Sequence, residues 1–263
     1  ELLRQADIAM YQAKSSGRNA FRFFDPEMQA AIAARVAMEA DLRRAMDERQ
    51  FILYYQPQVD FDGRTIGAEA LLRWQHPEKG LIPPNTFISI AEDTGLILPI
   101  GQWVLETACR QLVAWSAASD TAELNIAINI SPRQFRQSDF VARVCDILRL
   151  TGANPNKLVL ELTERLLLDD MEHTTVKMMH LRKAGVRFSL DDFGTGYSSL
   201  AYLKRLPLDQ VKIDHSFVRD ILTDANDAAI AKTVIALAKN LGLSVIAEGV
   251  ESADQHRRLA QAG

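Results

Sequence analysis

Two aspartates stand side by side in the segment Arg187–Leu200, which reads RFSLDDFGTGYSSL. Asp191 and Asp192 follow a short apolar run and precede a glycine-flanked turn. Adjacent carboxylates repel, and burying like charges without a partner is costly. A cation held between them removes that penalty. The pair therefore points to metal chemistry and requires further ligands from elsewhere in the chain.

Alternation along strand-like segments supplies candidates, because side chains in a strand point to opposite faces in turn. In Leu158–Thr163, Leu158, Leu160 and Leu162 share the greasy face, and Glu161 lies on the other. In Leu124–Ile130 the isoleucines share one face, opposite Asn129. The same reading puts Glu69, Asp191, Lys212 and Glu248 on the less apolar face of their strands. Most of these residues stand near the C-terminal ends of successive strands, with Glu69 in mid-strand. Asp192 has the opposite parity, but it is read as the first residue past its strand, where the backbone turns. Carboxylates and an amide oxygen are hard ligands suited to Mg²⁺ or Mn²⁺, and no His or Cys joins them to favour zinc. An aspartate pair is suited to bridging two ions about 3.5–4 Å apart, as in phosphodiester-cleaving sites. Lys212 could steer and deprotonate the attacking water, or hold a phosphate oxygen, and Arg73, on the face of Glu69, could hold a phosphate. Taken singly, each residue has a plainer account. A strand Glu is commonly solvated, Asp-Asp before a turn is turn chemistry, and Lys212 with Asp214 is a surface pair worth little. Their joint parity and position argue against six separate accidents.

The elements that must position these groups alternate between strand and helix. Phe51–Val59 and Thr65–Trp74 flank the turn Asp62-Gly63-Arg64 and form a hairpin, so the first strand is antiparallel. Further strands are expected at Leu124–Ile130, Leu158–Thr163, Arg187–Asp191, Gln210–Ile213 and Ser244–Glu248. Helices are expected at Pro84–Glu92, Ile100–Ser116, Ser138–Leu150, Asp170–Ala184, Ser198–Lys204, Asn226–Asn240 and Ala253–Ala262. An amphipathic helix running to about Gln50 precedes them. Repeated βα units favour a (β/α)8-type barrel over an open doubly wound sheet, with the active site at the C-terminal rim. The chain ends in a helix where a barrel calls for an eighth strand.

Composition narrows the function classes. The 263 residues carry 30 Lys and Arg against 34 Asp and Glu, a net charge of −4 that gives no reason to expect a nucleic-acid duplex as ligand. A hydrophobic content of 48% suffices for a sizeable core. Cys109 and Cys145 read as free thiols in a reducing cytosol. No run of about 18 apolar residues predicts a membrane span. His76, His173, His180, His215 and His256 share no ligand spacing, and Trp74, Trp103 and Trp115 read as core.

The motifs resemble a known family. EALLRW around Glu69, YYQP at Tyr54–Pro57, NISPRQF at Asn129–Phe135, ELTE at Glu161–Glu164, DDFGTGYSSL, KID at Lys212–Asp214 and AEGVE at Ala247–Glu251 resemble those of EAL domains, in order. The resemblance runs from about Ala40 to the end. It implies a modified TIM barrel with an antiparallel first strand, and hydrolysis of cyclic di-GMP to linear pGpG with two Mg²⁺ or Mn²⁺. Calcium should bind but turn over poorly. By the same resemblance, Glu69, Asn129, Glu161 and Asp191 hold one metal, and Asp191, Asp192 and Glu248 the second. Lys212 contacts the nucleophilic water, and Gln56, Leu71 and Arg73 contact substrate. Glu164 steadies the loop after Asp192, which takes part in family homodimers, with Gly194-Thr195-Gly196 as a candidate switch.

Residues 1–24, containing ADIAMYQAKSSGRNAFRFF, resemble the C-terminal remnant of a GGDEF domain without its catalytic part. Residues 25–40 then form a linker and helix, and 41–263 a C-terminally incomplete EAL domain. The family's ELTES reads ELTER here, with Arg165, and its final strand with a QG motif lies beyond Gly263. The expected location is the cytoplasm, without membrane contact by this fragment, in a parent that could be anchored upstream. The alternatives are a weak or inactive cyclic di-GMP receptor and, third, a protein-binding scaffold.

Overall fold

The computed structural model describes residues 23–164, 166, 170–194 and 203–263, together with Gln5 and Met10. Most of the expected GGDEF remnant, the Thr195–Gly196 turn and most of the helix at Ser198–Lys204 lie outside the described residues. The chain divides into two compact units, residues 1–52 with 73–96, and residues 53–72 with 97–263.

In the first unit, helix α1 (Pro26–Asp47) starts on the Asp25 cap, whose side chain accepts from Glu27 N, with Pro26 at its first position. It packs on helix α2 (Pro84–Thr94). Phe51, Trp74 and Phe87 form an aromatic cluster with centroids 5.6–6.0 Å apart. Trp74 is fully buried and satisfies its indole N–H on Gln50 Oε1 at 2.8 Å. Asp41 on α1 accepts from Lys79 Nζ at 2.8 Å and faces His76 Nε2 at 3.4 Å. The buried His76 ring accepts backbone N–H bonds from Glu78 and Lys79 through Nδ1, so this histidine is structural.

The sheet has the chain order of a TIM-type wall. Strands β1 (Phe51–Val59), β2 (Thr65–His76), β4 (Asn125–Asn129), β5 (Leu158–Thr163), β6 (Arg187–Phe193), β7 (Gln210–Ile213) and β8 (Ser244–Ala247) lie side by side in sequence order. Pairing is parallel from β2 to β8. The short link between β1 and β2 permits only an antiparallel pair. A further strand, β3 (Gly80–Ile82), pairs antiparallel with the end of β2.

The remaining helices of the second unit are α3 (Ile97–Ser116), α4 (Pro132–Phe135), α5 (Phe140–Thr151), α6 (Met171–Lys183), α7 (His215–Arg219), α8 (Ala225–Leu241) and α9 (Ala253–Ala262). They lie mostly between the strands, as alternating βα units require. Ile126, Ile128, Leu158, Leu160, Phe188 and Ile213 are fully buried, as expected for parallel strands covered on both faces. Local chemistry fixes the helix starts. Asp224 caps α8 by accepting from Asn226 N and Asp227 N, and Ser252 with Gln255 forms a capping box on α9. Cys109 is buried and free, and burial pushes its thiol up to about 11; Cys145 is also free. No helix among the described residues is long and apolar enough to cross a membrane.

Candidate active site

Strand register gathers the acidic residues. Asn129 pairs directly with Glu161, and Thr163 with Asp191. The ladder continues past the formal strand ends: Ile130 N donates to Glu161 O at 3.0 Å and Glu248 N to Ile213 O at 3.1 Å. Glu248 follows Ile246, the register partner of Lys212, by two residues on the same face. The NISPRQF segment turns away immediately after Asn129, because Ser131 caps α4 by accepting from Gln134 N, with Pro132 at the first helical position.

Lys212 sits at the centre. Its Nζ donates to Glu161 Oε2 at 2.8 Å and Glu69 Oε2 at 3.2 Å. It also lies 2.5 Å from Glu248 Oε1 and 3.2 Å from Asp191 Oδ1. Asn129 Nδ2 donates to Glu69 Oε1 at 2.7 Å, leaving the amide oxygen as a hard donor. Lys212 and Glu161 are each 1% exposed. Lys212 is therefore not the surface partner of Asp214; Asp214 instead caps α7, accepting from Ser216 N at 2.9 Å.

Asp192 reaches the cluster through its backbone. It lies within β6, not past its end as the parity reading had it. The β6–β7 register shifts between Leu190 and Phe193, and Asp192 has φ 55°. That bulge reverses the alternation and re-aims its carboxylate. Asp191, Asp192 and Glu248 can each offer an oxygen within 4.8 Å of the others.

The electrostatics are lopsided. Burial pulls the Lys212 ammonium down, but Glu161, Glu69, Asp191 and Glu248 outweigh it and hold its pKa above that of ordinary lysine. Burial raises Glu161 despite Lys212, with Glu69 and Asp191 pushing the same way as burial. Burial also raises Glu248, against Lys212. Asp192 is raised by burial and by the charges of Asp191 and Asp214. Among the described residues four carboxylates thus share one ammonium, with Asp192 beside them, and Glu161 Oε1 is buried with no partner among those residues. An all-oxygen donor set with excess negative charge and an orphaned carboxylate oxygen fits Mg²⁺ or Mn²⁺.

The other expected residues lie as follows. Gln56 is exposed on β1, and Leu71 is half-buried on β2, two residues beyond Glu69. Arg73 is half-buried, further along β2 and within the first unit. Glu164 follows β5, buried, with neither carboxylate oxygen partnered among the described residues. Gly194 has φ 100°, and a Cβ there would meet the Phe217 ring at 3.1 Å. Two groups were missed in the sequence. Asp214 raises Asp192 from outside the cluster, and Ser189 lies buried between Arg187 and Asp191 on one face of β6. Strand parity was the available signal for Ser189.

Residues 39–263 match the family described as the EAL domain. The chain belongs to the EAL domain family. Among curated relatives of this EAL chain, the bifunctional diguanylate cyclase/cyclic di-GMP phosphodiesterase MucR of Pseudomonas aeruginosa is 45% identical over 264 residues, 100% of this chain and 38% of MucR. The cyclic di-GMP phosphodiesterase PdeR of Escherichia coli is 39% identical over 262 residues, 100% of this chain and 39% of PdeR. The chain thus spans about two fifths of the length of these relatives. The solved PaMucR phosphodiesterase in its c-di-GMP complex superposes with a TM-score of 0.84 at 45% identity, covering 86% of this chain and 92% of that one.

Proposed function

We propose that this EAL domain hydrolyses one phosphodiester bond of cyclic di-GMP to give linear pGpG. The observation that carries the reading is the convergence of Glu69, Glu161, Asp191 and Glu248 on Lys212, with Asp192 re-aimed beside them. Relatives named as cyclic di-GMP phosphodiesterases, similar over the whole of this chain, support the substrate.

Two Mg²⁺ or Mn²⁺ ions would be held by Glu69, Asn129, Glu161 and Asp191, and by Asp191, Asp192 and Glu248; when bound they supply Lewis acidity, making water a stronger acid and offsetting charge on the phosphate. The Lys212 ammonium donates hydrogen bonds to the oxygen of the attacking water and fixes its line of approach to phosphorus. The Arg73 guanidinium binds a phosphate oxygen, and Gln56 and Leu71 contact the nucleotide. Glu164 steadies the loop after Asp192, through which two copies pair. Water adds to phosphorus, the ester bond opposite the entering oxygen breaks, and the leaving oxygen takes up a proton. The organisation proposed with this reading is a GGDEF remnant at 1–24, a linker and helix at 25–40, and the EAL domain at 41–263.

The direct test is chromatography of products after incubating the protein with cyclic di-GMP and Mg²⁺ or Mn²⁺. Linear pGpG should accumulate with either ion, and Asp191→Asn should reduce the rate at least 100-fold, because both ions lose a charged ligand. Undiminished turnover by Asp191→Asn, or none by the wild type with either ion, rejects the assignment.

A further inference from the structure

Two buried polar atoms at neighbouring positions of the ladder lack a hydrogen-bond partner among the described residues: Glu161 Oε1 and Ser189 Oγ. Ser189 is 0% exposed and is the register partner of Glu161 across β5 and β6. Residues so paired project from the same face of the sheet. The other Glu161 oxygen is already committed to Lys212 at 2.8 Å. A buried hydroxyl that donates to nothing destabilises the fold, and alanine would fill the same place without that cost. A ligating carboxylate is held in orientation by a hydrogen bond to its outer oxygen, and loss of such a bond weakens metal affinity about 10–100-fold.

We propose that Ser189 is a positioning residue for Glu161. Its hydroxyl, directly or through one water, hydrogen-bonds the Glu161 carboxylate and sets the angle at which that carboxylate meets a divalent cation. The inference rests on the metal-dependent reading above. Arg187 lies on the same face of β6, and its Nε and Nη2 also lack partners among the described residues, but its register partner is Val159, one step further from Asp191. Ser189 is therefore the nearer donor in register.

The test pairs Mn²⁺ titration, read from the paramagnetic resonance of free Mn²⁺, with thermal unfolding in EDTA. Wild type, Ser189→Ala and Ser189→Cys are compared; cysteine keeps the volume but donates weakly. Both variants should bind Mn²⁺ about 10-fold or more weakly, while their metal-free melting temperatures stay level with or above the wild type. Mn²⁺ affinity equal to wild type in either folded variant overturns the inference and leaves the metal reading standing. A loss of affinity matched by a fall in metal-free melting temperature also overturns it, because the hydroxyl would then be structural. Failure of the wild type to bind Mn²⁺ rejects the metal reading and this inference together.

Discussion

Among the described residues, Lys212 is the cation that pairs with Glu69, Glu161, Asp191 and Glu248. Removing one member of a buried ionic network leaves its partners uncompensated, at about 3–5 kcal/mol. Lys212→Met should therefore lower metal-free stability by about that amount in urea denaturation, and added Mn²⁺ should restore part of it, because a ligand that binds only the folded state stabilises it. A loss below about 1 kcal/mol would mean that the acids are held neutral or solvated, against the burial of Lys212 and Glu161. Parity made Glu69, Glu161, Asp191, Lys212 and Glu248 legible as one set, because alternation is a property of the strand itself. Asp192 was legible as a candidate but not in its placement: a bulge is decided by how two strands fail to keep register, which one strand's sequence does not encode. Ser189 shares the parity of Asp191 but was passed over, because a serine on a strand gives no further signal until its burial and missing partner are known.

At the scale of elements, close approach between β2 and β4 is set by Gly67. A Cβ there would lie 2.9 Å from the backbone oxygen of Asn125, its register partner. Gly67→Val should cost about 1–3 kcal/mol in thermal or urea unfolding, with weakened Mn²⁺ binding through displacement of Glu69 two residues on. Wild-type stability in Gly67→Val would show that the ladder relaxes freely. The Asp41–Lys79 pair ties α1 to the turn between β2 and β3. The Lys79 hydrogen bond leads the effects that hold the Asp41 carboxyl down from 3.8 to about 2, against the opposing effect of burial. A depressed carboxylate contributes stability that is fully present above its unfolded pKa and is lost as pH falls through the folded value. The stability gap between wild type and Asp41→Asn should therefore be constant above about pH 4 and shrink between pH 3.8 and about 2. A gap unchanged down to pH 2 would remove this pair from the acid response. The long elements were read to within a few residues, whereas β3, α4 and α7 were missed. A three-residue strand and helices of about one turn repeat their pattern too few times to stand out without an apolar run, and the helix caps, Ser131 and Asp214, look like ordinary turn residues.

Over the whole molecule, the strict succession of strand and helix was enough to give a parallel wall in chain order, because a parallel neighbour requires a crossover that only a helix-length segment supplies. The division into two units was not legible. The boundaries at residues 52–53 and 72–73 cut through β1 and β2, where neither composition nor turn residues change. Site residues spread along most of the wall also have a consequence for the order of folding. Lys212 meets Glu69 across 143 residues of sequence and Glu161 across 51. During synthesis, four of the five acids and Asn129 emerge before the lysine that holds them together. Bringing β2 through β6 together without β7 would crowd these acids without their ammonium, which disfavours that order of docking. Closure of the wall then becomes a late, long-range and cooperative event. The contacts that steady the finished site thus join residues far apart in the chain and raise the contact order of the fold.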